Sequence, residues 1–72
     1  MTLPNDLLNT YVQDISGETL TFKQFLDNTI SENIISYYSS YGDVGIRQFS
    51  CKTKHKKYRL VHTGHGMVLQ CY

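Results

Sequence analysis

A dense group of basic side chains occupies residues 51–60 of this 72-residue sequence. The segment reads CKTKHKKYRL and contains four lysines, one arginine and one histidine. Ammonium and guanidinium groups at this density attract anions, either phosphates, from which they displace counterions, or protein surfaces rich in carboxylates. The side chains that we expect to bind an anionic partner are Lys52, Lys54, His55, Lys56, Lys57 and Arg59.

The formal charge is divided unevenly along the chain. Residues 1–43 hold one base and all six acids, a net charge of −5, whereas residues 44–72 hold six bases and no acid, a net charge of +6. This asymmetry predicts that one surface is suited to an anionic partner. The competing interpretation is a solvated turn, whose lysines keep a hairpin soluble and discourage aggregation between strands.

Cysteine and histidine side chains in the same region are potential zinc ligands. Cys51 and His55 are separated by three residues, and His62 and His65 by two. Neither spacing matches the common C-x2-C or H-x3-5-H pairs of zinc modules. We therefore expect no bound metal, and a zinc-holding structural module is the least favoured alternative.

Catalytic side chains are the next possibility, and nucleophilic catalysis requires a thiol or hydroxyl held by a base that a third group orients. Cys71 and His62 form the one nearby pair of this kind, and no Asp or Glu follows Asp43 to orient the histidine. The sequence therefore predicts a protein that is not an enzyme and needs no cofactor.

The length and composition indicate one small domain over residues 1–72 with a thin core, because a chain of this size buries only roughly 60% of its unfolded surface. No apolar run is long enough to cross a bilayer, and the first residues lack the features of a signal peptide. Two cysteines are too few to staple a secreted scaffold, and no Asn-x-Ser/Thr site occurs. We expect a cytoplasmic protein with no membrane partner.

The spacing of the apolar residues changes near Asp43, from a helical period to a period of two. Residues 4–41, the half before Asp43, have the helical period. One helix is predicted to begin at Pro4 and to end near Ser16. A capping-box signature at residues 21–24 predicts a second start, and residues 22–41 are expected to form one long helix or two short ones. The residues that set the first helical period are Leu7, Leu8, Tyr11, Val12 and Ile15.

The second half, residues 44–72, has a period of two. It predicts three antiparallel strands at 44–53, 57–63 and 66–72, with two-residue turns at Lys54-His55 and Gly64-His65. Ile46 breaks the alternation, which predicts a bulge beside Gly45. The turns fix a register that pairs Cys51 with Tyr58, Phe49 with Leu60, His62 with Met67, Leu60 with Leu69, and Tyr58 with Cys71.

This register sorts the side chains onto two faces of the sheet. The helices should cover an apolar face that includes both cysteines as buried free thiols. The opposite face carries Lys52, Lys57 and Arg59, together with Val61, Val68 and Tyr72 as possible apolar contacts. Residues 66–72 are uncharged, so this strand is a possible edge for a homodimer.

The predicted fold class is α+β, with two or three N-terminal helices packed on one face of a C-terminal three-stranded antiparallel meander. The predicted function is a small regulatory or interaction protein that binds nucleic acid or an acidic protein surface through a basic β-hairpin. The alternative is an inhibitor or adaptor that acts through apolar and aromatic contacts, at a tyrosine-rich helix or at the C-terminal edge strand.

Overall fold

The computed structural model describes residues 3–43 and 45–72 of the chain, and within them it is mostly β. The expected three-stranded meander under several helices is wrong, because these residues form two short helices, a two-stranded sheet and a four-stranded sheet. Val44, the predicted start of a strand, lies outside the described residues. The elements are α1 (Asn5–Leu8), β1 (Tyr11–Gln13), β2 (Thr19–Thr21), α2 (Phe22–Thr29), β3 (Ser36–Gly42), β4 (Gly45–Lys52), β5 (Lys57–Thr63) and β6 (Gly66–Cys71).

The first predicted helix stops after one turn, and a small hairpin of β1 and β2 replaces the rest of it. Val12 pairs with Leu20, and both side chains are buried. The turn between them is built around Asp14, whose carboxylate accepts hydrogen bonds from the backbone of Ser16 and Glu18 at 3.0 Å. Local turn chemistry of this kind competes with helix formation.

The second predicted helix forms as α2 but is much shorter than expected. The capping box is confirmed: the Thr21 hydroxyl accepts from the Gln24 backbone, and the Gln24 side chain accepts from the Thr21 backbone. The helix ends at Thr29, and Ile30 already has an extended backbone. Residues 36–41, predicted to be helical, lie in strand β3 instead.

The four-stranded sheet has the order β3-β4-β5-β6, with every neighbouring pair antiparallel. The predicted pairs of Cys51 with Tyr58 and of Tyr58 with Cys71 are confirmed. The break in the ladder that the position of Ile46 predicted is also found. It lies at Arg47, two residues after Gly45. Ser40 pairs with Gln48 and Tyr41 with Ile46, so Arg47 is left without a partner in the ladder and Ile46 turns into the core.

The core lies between α2 with the small hairpin and one face of the large sheet. The Phe22 ring is fully buried and meets Phe49 of β4 edge to face, with 4.9 Å between ring centroids. We call the opposite side of the large sheet the outer face, and its side chains are largely exposed, among them Tyr38, Arg59 and Tyr72. Among the described residues, no helix has the length and apolar character needed to span a membrane.

Candidate anion-binding surface

The turn between β4 and β5 presents the basic segment, which we call the basic hairpin (residues 52–59). The backbone N–H of Thr53 donates to the Lys56 carbonyl at 2.8 Å, and the Lys56 N–H donates to the Thr53 hydroxyl at 3.1 Å. Thr53 is fully buried, so it fixes the turn from beneath. Lys54 and His55 occupy the tip, as the sequence predicted.

The five cations of the basic hairpin are all exposed. In residues 3–43 and 45–72, carboxylates approach a basic group within 4 Å at two places, between Lys23 and Asp27 and between His55 and Glu32. The acids of the first half therefore form no ion pair with the five cations, although Glu32 interacts electrostatically with Lys56, and the positive potential of the group is available to a partner. These cations are Lys52, Lys54, Lys56, Lys57 and Arg59.

His55 differs from the other predicted binding residues because it already has an acidic partner. Its Nδ1 lies 2.5 Å from Oε2 of Glu32, and Oε1 of Glu32 lies 3.3 Å from the Thr53 hydroxyl. The hydrogen bond to His55 is the main reason why the pKa of Glu32 is lowered. Glu32 thus attaches the hairpin tip to the loop after α2, and His55 is less free to meet an anion than its neighbours.

On the outer face, Lys52 of β4 stands directly opposite Lys57 of β5. Like charges at facing positions of a sheet repel and reduce stability. Arg59 lies on the same face, two residues after Lys57 and opposite Ser50. Its guanidinium carbon is 5.5 Å from the centroid of the Tyr72 ring. This arrangement concentrates positive charge beside an exposed aromatic ring.

A cleft of about 300 Å³ lies next to these cations, where β4 and β5 separate. Their ladder contains three pairs and ends where Ser50 meets Arg59, so the predicted pairing of Phe49 with Leu60 is not made. The residues that line the cleft are Tyr38, Gln48, Ser50, Arg59 and Tyr72, whose side chains lie on the outer face, together with Phe49 and Leu60, whose side chains belong to the core side. Tyr38 was expected on a tyrosine-rich helix within residues 22–41, the alternative contact surface, and the structure places it on strand β3 instead.

The predicted apolar contacts differ in exposure, and the predicted dimer edge is partly occupied. Val61 and Val68 are half-buried and face each other across β5 and β6, whereas Tyr72 is exposed. Strand β6 is an edge of the large sheet, but Asp14 of the small hairpin lies beside Met67 in a parallel bridge. The small hairpin therefore occupies the beginning of this edge.

The two cysteines lie on either side of Tyr58, in β4 and β6, and both are free thiols. Cys51 is buried as expected, and desolvation raises its pKa to about 11. Cys71 was expected to be buried but is exposed, because it ends the edge strand. In the described part of the chain, no three His, Cys, Asp or Glu side chains come together in a way that could hold a metal ion.

Comparison with known protein families, with curated proteins and with solved structures found no match to this chain.

Proposed function

We propose that this chain is a small, non-enzymatic interaction protein that binds an anionic partner through the basic hairpin and the outer face. The observation that carries the proposal is the set of five exposed cations that no carboxylate of the described residues approaches within 4 Å. Unneutralised cations on one surface attract polyanions over a distance of about one Debye length, roughly 8–10 Å at moderate salt.

The facing lysines support a binding role over a purely solubilising one. Solubility would be served equally well by lysines at staggered positions, whereas Lys52 and Lys57 stand opposite each other at a cost in stability. An anion placed between them would relieve that repulsion. The free thiols of both cysteines fit a reducing compartment, so the cytoplasm is the location that we propose for this activity.

The test is a titration of two labelled polyanions, a twelve-nucleotide single-stranded oligonucleotide and poly-glutamate, followed by fluorescence anisotropy at 50 and 200 mM salt. We expect at least one of them to bind, more weakly at the higher salt concentration. Lys57→Gln should weaken binding several-fold, because it removes one cation from the surface. Lys23→Gln is the matched control, since Lys23 lies on α2 and pairs with Asp27.

Two results would contradict the proposal: the absence of binding to both polyanions at low salt, or equal binding by the Lys57→Gln and Lys23→Gln proteins.

A second candidate is a protein-binding role at the other edge of the large sheet. Strand β3 has no charged residue and no strand on its outer side among the described residues. Such an edge can accept a strand from a partner or from a second copy, as we also expect at residues 66–72. A dimer detected by analytical ultracentrifugation, and abolished by Ser39→Pro in β3 or by Cys71→Pro at the exposed end of β6, would identify the edge in use.

A further inference from the structure

We infer that the anionic partner is single-stranded nucleic acid, and that one of its bases enters the cleft between β4 and β5, between Tyr38 and Tyr72. This inference rests on the proposed function, because it assigns a chemical class to the partner of the same surface. The cleft, the two tyrosines and the cations around them carry it.

The two tyrosines present aromatic faces at opposite edges of one charged surface. Tyr38, on β3, is 58% exposed, and Tyr72, just after β6, is 66% exposed. Although three strand spacings separate β3 from β6, both tyrosines line the same cleft. Exposed rings of this kind stack on nucleobases whatever their sequence.

The lining of the cleft matches the chemistry of a base. Half-buried Leu60 adds apolar surface to the rings of Tyr38 and Tyr72, while Gln48 and Ser50 bring an amide and a hydroxyl that both donate and accept hydrogen bonds. A nucleobase likewise has apolar faces and polar edges. A glutamate or aspartate side chain has no flat apolar face to place between two rings, so the cleft favours nucleic acid over an acidic peptide.

The cations lie where a sugar-phosphate backbone would leave the cleft. A neighbouring hollow shares Tyr38, Ser50 and Tyr72 with the cleft and adds Lys52 and Lys57. A third hollow continues from those two lysines to the tip of the basic hairpin. Phosphates that follow an inserted base toward the hairpin tip therefore meet ammonium groups along a continuous path.

The width of the sheet favours a single strand over a duplex. Four strands with three spacings of roughly 4.8 Å give a face about 14 Å wide. The major groove of B-DNA is about 12 Å wide and accepts a helix or a two-stranded ribbon. The outer face is too broad for that groove, and bases within a duplex are stacked on each other and cannot enter the cleft.

The experiment measures the affinity of a fluorescein-labelled twelve-nucleotide single strand for the full chain and for matched tyrosine variants. Tyr38→Leu and Tyr72→Leu should each weaken binding by roughly five- to one-hundred-fold, the range observed for loss of one base-stacking ring. Tyr38→Phe and Tyr72→Phe should bind as the unaltered protein does, because they keep the ring. Tyr41→Leu is the control, since Tyr41 is 53% exposed on the same strand but does not line the cleft.

A spectroscopic measurement keeps the test valid if a leucine variant folds poorly. Addition of the oligonucleotide should shift the ring proton resonances of Tyr38 and Tyr72 upfield, as stacked bases do, and should leave those of Tyr41 unchanged. A duplex of the same sequence should compete weakly for binding.

The possible outcomes separate this inference from the proposed function. If the oligonucleotide binds but neither leucine variant loses affinity and neither tyrosine resonance moves, the inference is overturned and the anionic function stands. If the protein binds poly-glutamate more tightly than the oligonucleotide, the inference is likewise overturned and the anionic function stands. If neither polyanion binds, the proposed function fails, and the inference fails with it.

Discussion

The imidazole of His62 donates a hydrogen bond from Nε2 to the backbone carbonyl oxygen of Arg47, over a distance of 2.9 Å. A carbonyl oxygen can only accept, so this nitrogen carries the proton. Arg47 is the bulged residue of β4, and His62 lies on β5 beyond the last pair of their ladder. The bond therefore connects two strands at a place where no backbone pairing joins them.

Removal of this connection should reduce stability by a small, measurable amount. His62→Ala is expected to lower the free energy of unfolding by about 1 kcal/mol, the usual net value of one hydrogen bond. Urea denaturation followed by circular dichroism measures the change. His65→Ala is the control, because only the backbone N–H of His65 is bonded, to the Thr63 hydroxyl, and its effect should stay within about 0.5 kcal/mol. Equal effects of the two variants would show that the His62 bond contributes nothing.

Glu32 should make the stability of the protein depend on acid pH. The pKa of Glu32 is lowered in the folded state, chiefly by the hydrogen bond to His55, so its stabilisation is present above its ordinary pKa of 4.5. That stabilisation is lost as the pH falls through the lowered pKa. Between pH 7 and pH 3, Glu32→Gln should therefore lose less stability than the unaltered protein.

Urea denaturation at a series of pH values measures this difference. Glu18→Gln, in the turn between β1 and β2, should keep the full pH dependence, because no ion pair holds the Glu18 side chain in the described structure. Identical pH profiles for the Glu32→Gln variant and the unaltered protein would contradict the prediction.

Gly66 should be far less tolerant of substitution than Gly64, two residues earlier in the same turn region. Gly66 has a φ of +138°, and an added Cβ would collide with the backbone carbonyl group of Asp14. Gly66→Ala should therefore cost about 2 kcal/mol or more and should separate β1 from β6. Nothing lies within 4 Å of a Cβ added to Gly64, so Gly64→Ala should change stability by less than about 0.5 kcal/mol. Thermal unfolding measures the loss of stability in both variants. A loss in Gly64→Ala as large as that in Gly66→Ala would contradict the prediction.

The two cysteines should react with a maleimide at very different rates. Cys71 is exposed, whereas Cys51 is buried and its pKa is raised to about 11, so little thiolate is present at neutral pH. Native protein should therefore gain one label rapidly and a second only after unfolding. Mass spectrometry counts the labels, and Cys71→Ser should remove the fast one. Rapid double labelling of native protein would mean that Cys51 is accessible.

The register of the second half could be predicted because alternation and turn chemistry agree there. The turn at Gly64-His65 leads into the pairs of Thr63 with Gly66 and of His62 with Met67, as two-residue hairpins require. The turn at Lys54-His55 does the same for Lys52 and Lys57. Local signals were sufficient because the paired strands are adjacent in the sequence.

Strand β3 could not be assigned from the sequence because its tyrosines have the spacing of a helical face. Tyr37 and Tyr38 are adjacent and Tyr41 follows three residues later, so the segment does not alternate, yet in the strand Tyr37 is half-buried whereas Tyr38 and Tyr41 are exposed. The pairing of Tyr38 with Ser50 on β4, the next strand in the chain, outweighs the helical spacing. The cleft depends on that pairing and on the separation of β4 from β5, so neither composition nor spacing indicated it.

The short ladder between β4 and β5 divides the large sheet into two ribbons that backbone pairing joins only near the basic hairpin, within the described residues. Each ribbon is a complete antiparallel pair, β3 with β4 and β5 with β6, and keeps its own backbone hydrogen bonds. Beyond Ser50 and Arg59, the two ribbons are held together by the core that they share around Phe49 and by the contact of the His62 imidazole with Arg47. Side-chain packing, and not a backbone ladder, therefore sets the spacing between the ribbons at this end of the sheet.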